Sequence, residues 1–474
     1  MLTTFGVFSV VASVGGFAIV LASLARQSQG GSQLTGALAH AGNACRKALE
    51  YRAPARRRAA TAANRERPSP FHESNDRLAA EGGQPVRSAP APAWPAYERD
   101  EIEAVTAVLA SGRVNQWTGN LVREFERSFA AQIGANYAVA VTNGSLALEV
   151  ALRGLGIGGG DEVIVPSRSF IASASSVSNV GATPVFADVD RETMLITPET
   201  IAPLIGPRTK AIMPVHLCGR PCDMPRIMEQ ARRHGLLVIE DCAQSVGAKV
   251  DGVYAGAFGD ASTFSFCQDK IITTGGEGGM ALFANKEHWS RAWSYRDHGK
   301  SFDAMSRNDH PVGYRWIHHS IGSNWRMLEV QAAIGLLQLR KLESWLSKRN
   351  ANAQQLSAAL AQFPCVSIAA LPGNYVHAYY RLECAVVPER LKAGWDRDRI
   401  LAAFIAEGIQ VSVGTCPTIY RERAYALQGR HAPRPNAERL ANTSLNLLAH
   451  PTIDYCYLAD CEAAIRKIFT AASA

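Results

Sequence analysis

Leu236-Leu237-Val238-Ile239-Glu240-Asp241-Cys242-Ala243-Gln244 is an apolar run that closes in acids. About thirty residues later stands Ser265-Phe266-Cys267-Gln268-Asp269-Lys270, followed by Thr273-Thr274-Gly275-Gly276-Glu277-Gly278-Gly279-Met280. An acid at the end of a buried strand and a lysine just past another short strand form the pair that a pyridoxal phosphate site needs. The lysine amine condenses with the aldehyde, and the carboxylate keeps the pyridine nitrogen protonated so that the ring can accept electrons. Each half alone has a plainer reading. A lysine near glycines is usually a solvated loop residue, and an Asp closing a strand is usually a helix N-cap.

Working outward, short β-rich runs recur at 138–141, 163–165, 184–187, 211–215, 236–239, 263–266 and 280–283. Helical patterns lie between several of them, at 145–155 and 225–234. Apolar strands alternating with helices predict a mostly parallel sheet covered on both faces, with ligands outside the strands' carboxyl ends. Asn143-Gly144-Ser145 follows a strand and opens a helix, where free amides and the helix dipole favour a phosphate. The glycine-rich 154–160 stretch has the reverse order and reads as a helix stop and turn. A long amphipathic helix is expected from Asn324, with Met327, Val330, Ile334 and Leu337 on one stripe. It leads into a smaller part containing 379–387 and 399–409.

Further segments keep a recognisable order: Gln116-Trp117-Thr118-Gly119, Asn143-Gly144-Ser145-Leu146-Ala147-Leu148, Pro166-Ser167-Arg168-Ser169-Phe170, Pro214-Val215-His216-Leu217-Cys218-Gly219, Arg296-Asp297-His298-Gly299 and Gly322-Ser323-Asn324-Trp325-Arg326-Met327. With the Asp241 and Lys270 segments, residues from about 95 to 470 resemble the DegT/DnrJ/StrS-type sugar aminotransferases, of the aspartate-aminotransferase (type I) fold. The resemblance implies an α/β large domain at 92–339, with a mostly parallel seven-stranded sheet, and a small C-terminal α/β domain at 340–474.

It also implies that Lys270 holds pyridoxal 5'-phosphate and shuttles the proton, that Asp241 pairs with the ring nitrogen, and that Gln244 lies against the ring. Phe170 would stack on the ring, while Ser265, Gly144 and the amides of Ser145 and Leu146 would hold the phosphate. Asn324 would come from a neighbouring subunit, so a homodimer with shared sites is expected. Gln116, Trp117 and His298 are candidates to touch substrate. Two departures, Cys267-Gln268-Asp269 for a His-x-Thr-like text and Leu146 for Ala, remove no needed group. Relatives that act as dehydratases carry His where this chain has Lys270, so transamination is favoured. An amino acid, L-glutamate, would donate to a nucleotide-linked keto-sugar for polysaccharide or amino-sugar synthesis. The alternatives are a cyclitol or aminohydroxybenzoate precursor as acceptor, or a non-catalytic regulatory protein that binds the cofactor.

At 474 residues the chain exceeds one ordinary core. Its formal charge of +7 is uneven: 1–91 carry +6, leaving +1 for the body, so no nucleic-acid footprint is indicated. The ten cysteines show neither a metal-site spacing nor a disulfide framework, and no metal is expected. Residues 1–25 carry no charge, and 5–25 are apolar enough for a membrane anchor. The basic linker 26–91 behind it would leave the body on the cytoplasmic side, tethered to the membrane. A gene-model extension is the other reading of 1–91.

Overall fold

The computed structural model describes residues 77–305, 307, 313, 315–427, 429 and 431–474. The apolar segment 5–25 and most of the linker lie outside the described residues. Among the described residues no helix is long and apolar enough to cross a membrane.

Seven strands form the main sheet: β1 (Tyr137–Val141), β2 (Glu162–Pro166), β3 (Thr183–Ala187), β4 (Thr209–Ile212), β5 (Leu237–Asp241), β6 (Ala261–Ser265) and β7 (Gly279–Phe283). Their order is β1-β7-β6-β5-β4-β2-β3. β7 pairs antiparallel with both β1 and β6, and the other neighbouring pairs of this sheet are parallel. All seven correspond to the runs expected from sequence. Strands β6 and β7 are both buried along their whole length, and β7, Gly279-Met280-Ala281-Leu282-Phe283, accordingly shows an apolar run and not an alternating one.

Helices α1 (Arg99–Ser111), α2 (Leu121–Ile133), α3 (Gly144–Gly154), α4 (Ala172–Asn179), α5 (Met224–His234) and α6 (Lys286–Arg296) flank the sheet. Asn143 starts α3, its Oδ1 accepting from the Leu146 amide at 3.0 Å. The glycine-rich stretch after α3 is the expected helix stop, since the chain re-enters the sheet at Glu162.

The long helix α7 (Glu329–Leu360) begins five residues later than its apolar stripe suggests. Residues 324–328 are extended because they bridge elsewhere: Arg326 pairs with Val141, and Leu328 with Asn115. The true start is set by Gln331, whose side chain accepts from the Leu328 amide at 2.8 Å. Glu329 faces the other way and accepts from the Leu121 and Val122 amides at the head of α2. The helix packs on α1 and α2 early and on the C-terminal lobe late, so the expected boundary at 339 falls inside it.

The C-terminal lobe is an antiparallel sheet of β8 (Val366–Ser367), β9 (Arg381–Val386), β10 (Val411–Ser412) and β11 (Ser444–Leu448), in the order β8-β9-β11-β10. It is covered by α8 (Arg397–Ala406) and α9 (Tyr455–Ala472). Residues 77–91, read from sequence as the end of a linker, are part of this lobe. Leu78 is buried in its core, and Arg87 pairs with Asp460 at 2.7 Å. The buried Glu407 accepts from the Ala79 and Val86 amides at 2.8 and 3.0 Å and pairs with Lys467 at 2.9 Å.

Candidate active site

The carboxyl ends of the parallel strands converge on a cavity of about 770 Å³. Gly144, Ser145, Leu146, Phe170, Asp241, Gln244, Ser265 and Lys270 all line it. The topology explains the convergence: β1 feeds the α3 turn, β2 leads to Phe170, β5 ends at Asp241 and β6 at Ser265.

At one corner stand the N-terminus of α3 and Ser265. A Cβ on Gly144 would lie 2.6 Å from the Ser265 Cβ, so a side chain there would close the corner. In the first turn the Gly144 and Ser145 amides have no helical acceptor. The Leu146 amide, expected to serve a phosphate, is instead engaged by Asn143. The corner is therefore built from Gly144, Ser145 and Ser265, with Leu146 as lining.

Asp241 is 4% exposed. Its Oδ2 accepts from the Ser173 hydroxyl at 2.8 Å and its Oδ1 from the Ala243 amide at 3.1 Å. Burial nevertheless raises its pKa, against the pull of those hydrogen bonds and of the Lys270 charge. A cationic ring nitrogen is the kind of partner such a carboxylate lacks. The Gln244 Oε1 accepts from the Cys218 amide at 2.7 Å, which leaves its NH₂ as the group able to donate. Phe170 keeps 57% of its surface open and lines the cavity with an apolar face.

Lys270 Nζ lies 4.8 Å from the centre of the Tyr380 ring and 3.9 Å from Asp269. The Tyr380 hydroxyl donates to Asp269. The Lys270 carbonyl accepts from the Trp94 indole at 2.9 Å. Trp94 sits in turn against Trp345, His450 and Arg349. Behind Asp241, His216, Glu240 and Cys242 come close enough to suggest a metal. However, His216 Nδ1 accepts from the Cys222 amide and its Nε2 meets Glu240. The Glu240 oxygens take the amides of Gly256, Phe258 and Gly259. The group is a hydrogen-bond hub under the strand end.

Four predicted residues are not brought to this cavity within one chain. Gln116 is buried against Arg296, at 2.9 Å. Trp117 lies under Lys300, at 4.5 Å. His298 and Asn324 are exposed, the first with a left-handed backbone (φ 58°). They gather around Arg296 and Asp297 beside the end of β1.

Conversely, Tyr380, Arg381, Ser412, Gly414, Thr415 and Asn446 line the cavity from the C-terminal lobe, where sequence reading found no chemistry. The lobes meet closely because Gly219 has no side chain: a Cβ there would lie 2.8 Å from the Tyr379 amide nitrogen. The hydrogen bond from the Ala378 amide to the Gly219 carbonyl then fixes the contact at 2.9 Å.

A phosphate corner, a buried carboxylate, an open aromatic face and a cavity lysine fit pyridoxal phosphate. Bound there, it supplies an aldehyde that condenses with amines and a ring that accepts electrons. Residues 95–461 match the DegT/DnrJ/EryC1/StrS aminotransferase family. The chain belongs to that family. This aminotransferase is 41% identical over 332 residues to the GDP-perosamine synthase of Caulobacter vibrioides, covering 69% of this chain and 83% of that protein. It is 36% identical over 341 residues to the L-glutamine:2-deoxy-scyllo-inosose aminotransferase of Streptomyces kanamyceticus, covering 70% and 79%. The X-ray structure of the aminotransferase from Psychrobacter cryohalolentis superposes with a TM-score of 0.78 at 45% identity, over 80% of this chain and 99% of that one. The fold is accordingly type I, and the enzyme is a pyridoxal-phosphate-dependent aminotransferase.

Proposed function

We propose that this aminotransferase moves an amino group from an amino acid, L-glutamate, to a keto-sugar carried on a nucleoside diphosphate, for polysaccharide or amino-sugar synthesis. The observation that carries the reading is the placement of Lys270 and Asp241 in one cavity with the α3 phosphate corner, in a chain 41% identical to a GDP-perosamine synthase. Lys270 binds the cofactor and moves the proton at the amine-bearing carbon. Asp241 holds the ring nitrogen's proton, and Gln244 steadies the ring through its NH₂. Phe170 covers one face and excludes water from it, while Gly144, Ser145 and Ser265 hold the phosphate.

We further infer a homodimer with shared sites. Asn324 is exposed on a segment that bridges to β1 beside the phosphate corner, yet it does not line its own cavity. Trp117 and His298 belong to the same cluster and would reach a partner's substrate with it, while the buried Gln116 would hold Arg296 beneath them. A cyclitol ketone is the second reading of the acceptor, favoured by the relative that acts on an inosose.

The test loads the enzyme with the aminated cofactor and offers nucleotide keto-sugars and scyllo-inosose separately. Return of the visible absorbance with a nucleotide keto-sugar supports the first reading, and return with the inosose alone replaces it by the second.

A further inference from the structure

The four-stranded sheet of the C-terminal lobe has one apolar face and one polar face. Leu382, Cys384, Leu445 and Leu447 point into the lobe's core. Glu383 and Ser412 lie directly opposite Asn446 in register, and Arg381 precedes Glu383 by two, so all four share the other face. A polar face of an antiparallel sheet is ordinarily turned to water. Here it is turned toward the large domain, and Arg381, Ser412 and Asn446 line the cavity.

The charges on this face are unequally matched. Glu383 is consumed by the buried Arg168, with which it forms an ion pair. Of the cavity-lining residues, Arg381 and Lys270 carry the positive charge. Arg381 meets Asp269 only loosely, at 3.6 Å. Two polar atoms of residues that line the same cavity have no hydrogen-bond partner among the described residues: Asn446 Nδ2, in a side chain 1% exposed, and Thr415 Oγ1. The Asn446 amide orientation is fixed by the Cys218 thiol on its Oδ1, at 3.2 Å, so the orphan is its donor. Buried donors of this kind are costly unless a ligand satisfies them.

We propose that Arg381, Asn446 and Thr415 form the subsite that holds a carboxylate of the amino-acid donor. A guanidinium fork with two neutral donors matches a carboxylate in charge and in number of acceptor sites. The distances suit the chemistry as well. The Arg381 guanidinium and the Lys270 amine lie 4.9 and 4.8 Å from the centre of the same Tyr380 ring, and all three residues line the one cavity, so a carboxylate held at Arg381 belongs to a molecule in the lysine's own cavity. The inference rests on the aminotransferase reading and names the donor's place within it.

Cofactor-loaded enzyme is titrated calorimetrically with glutarate, an unreactive dicarboxylate, and the two half-reactions are followed separately by absorbance. Arg381→Met is expected to weaken glutarate binding and to lower kcat/KM for L-glutamate about 100-fold. Its acceptor half-reaction should stay within about threefold of the original. Arg381→Lys should recover part of the loss. Asn446→Asp, which sets a negative charge against the carboxylate, should abolish glutarate binding, and Thr415→Val should weaken it. These isosteric variants keep the proposal testable where Arg381→Met fails to fold. Unchanged glutarate binding in the variants, or equal damage to both half-reactions, overturns the subsite. Failure of the unmutated enzyme to react with any amino acid overturns the aminotransferase reading instead.

Discussion

Lys270 and Asp241 line the same cavity, and their removal should fail in different ways. Lys270→Ala should abolish amino transfer. In the unmutated enzyme, borohydride should fix the cofactor to Lys270, so an adduct mapped by mass spectrometry to another lysine would sink the assignment. Asp241 is a liability to the cofactor-free fold, because burial holds its carboxyl above the usual range. Between its unfolded and folded pKa values the folded chain binds the extra proton, so stability falls as pH rises through that window and stays reduced above it. Cofactor-free Asp241→Asn should therefore melt at a higher temperature than the parent at pH 8, and the gap should close toward about pH 4. The same variant should lose on the order of 10²–10³ in kcat once loaded, because the charge that stabilises the protonated ring is gone. A cofactor-free variant less stable than the parent at pH 8 would refute this account of Asp241.

At the scale of elements, the segment 78–91 and the turn into α3 are the informative pieces. Glu407 holds that segment through two backbone amides and Lys467. Removing one partner of a buried pair costs roughly 3–5 kcal/mol, so Glu407→Ala should lower the denaturation midpoint and open residues 78–91 to proteolysis first. Protection of the segment in that variant would show that Leu78 and Arg87 hold it without Glu407. Gly144→Ala should act locally. Its Cβ would collide with Ser265, so cofactor affinity should drop, as read by equilibrium dialysis, while the melting temperature of the cofactor-free protein changes little.

For the whole molecule, the linker read from sequence as 26–91 needs a new boundary, because Leu78 and Arg87 belong to the C-terminal lobe. Deleting 1–76 should leave cofactor binding and kcat intact. Deleting 1–90 removes Leu78 and Arg87 from the C-terminal lobe and should destabilise it, which parallel thermal melts of the two truncations will test. Fractionation of the full chain against the 1–76 deletion reads whether 5–25 tether it to a membrane. The shared-site proposal has its own test. Mixing inactive Lys270→Ala with an inactive Asn324→Ala variant should restore activity, because the heterodimer then holds one intact site. No recovery in heterodimers that demonstrably form would place the action of Asn324 in its own chain.

Local order was legible because it is written in near-neighbour chemistry. Seven β-rich runs became seven strands, Asn143 became a helix cap, Asp241 fell at a strand end and Lys270 in the loop just past another, where a ligand can reach them. What waited for the tertiary structure depends on contacts between residues far apart in the chain. Glu329 caps a helix some two hundred residues upstream, so the start of α7 could not be read from its stripe. Leu146 lost its expected amide role to the cap beside it, a competition that spacing does not display. The cavity's second wall was invisible because Arg381, Thr415 and Asn446 lie on separate segments and share no motif. Strand pairing set Asn446 opposite Glu383 and Ser412, and the missing side chain at Gly219 let that sheet close over the lysine. The sequence by itself therefore determined the strands, the cofactor chemistry and half of the cavity. The other half was decided by packing, because which face of a sheet meets which lobe is a property of the assembled chain.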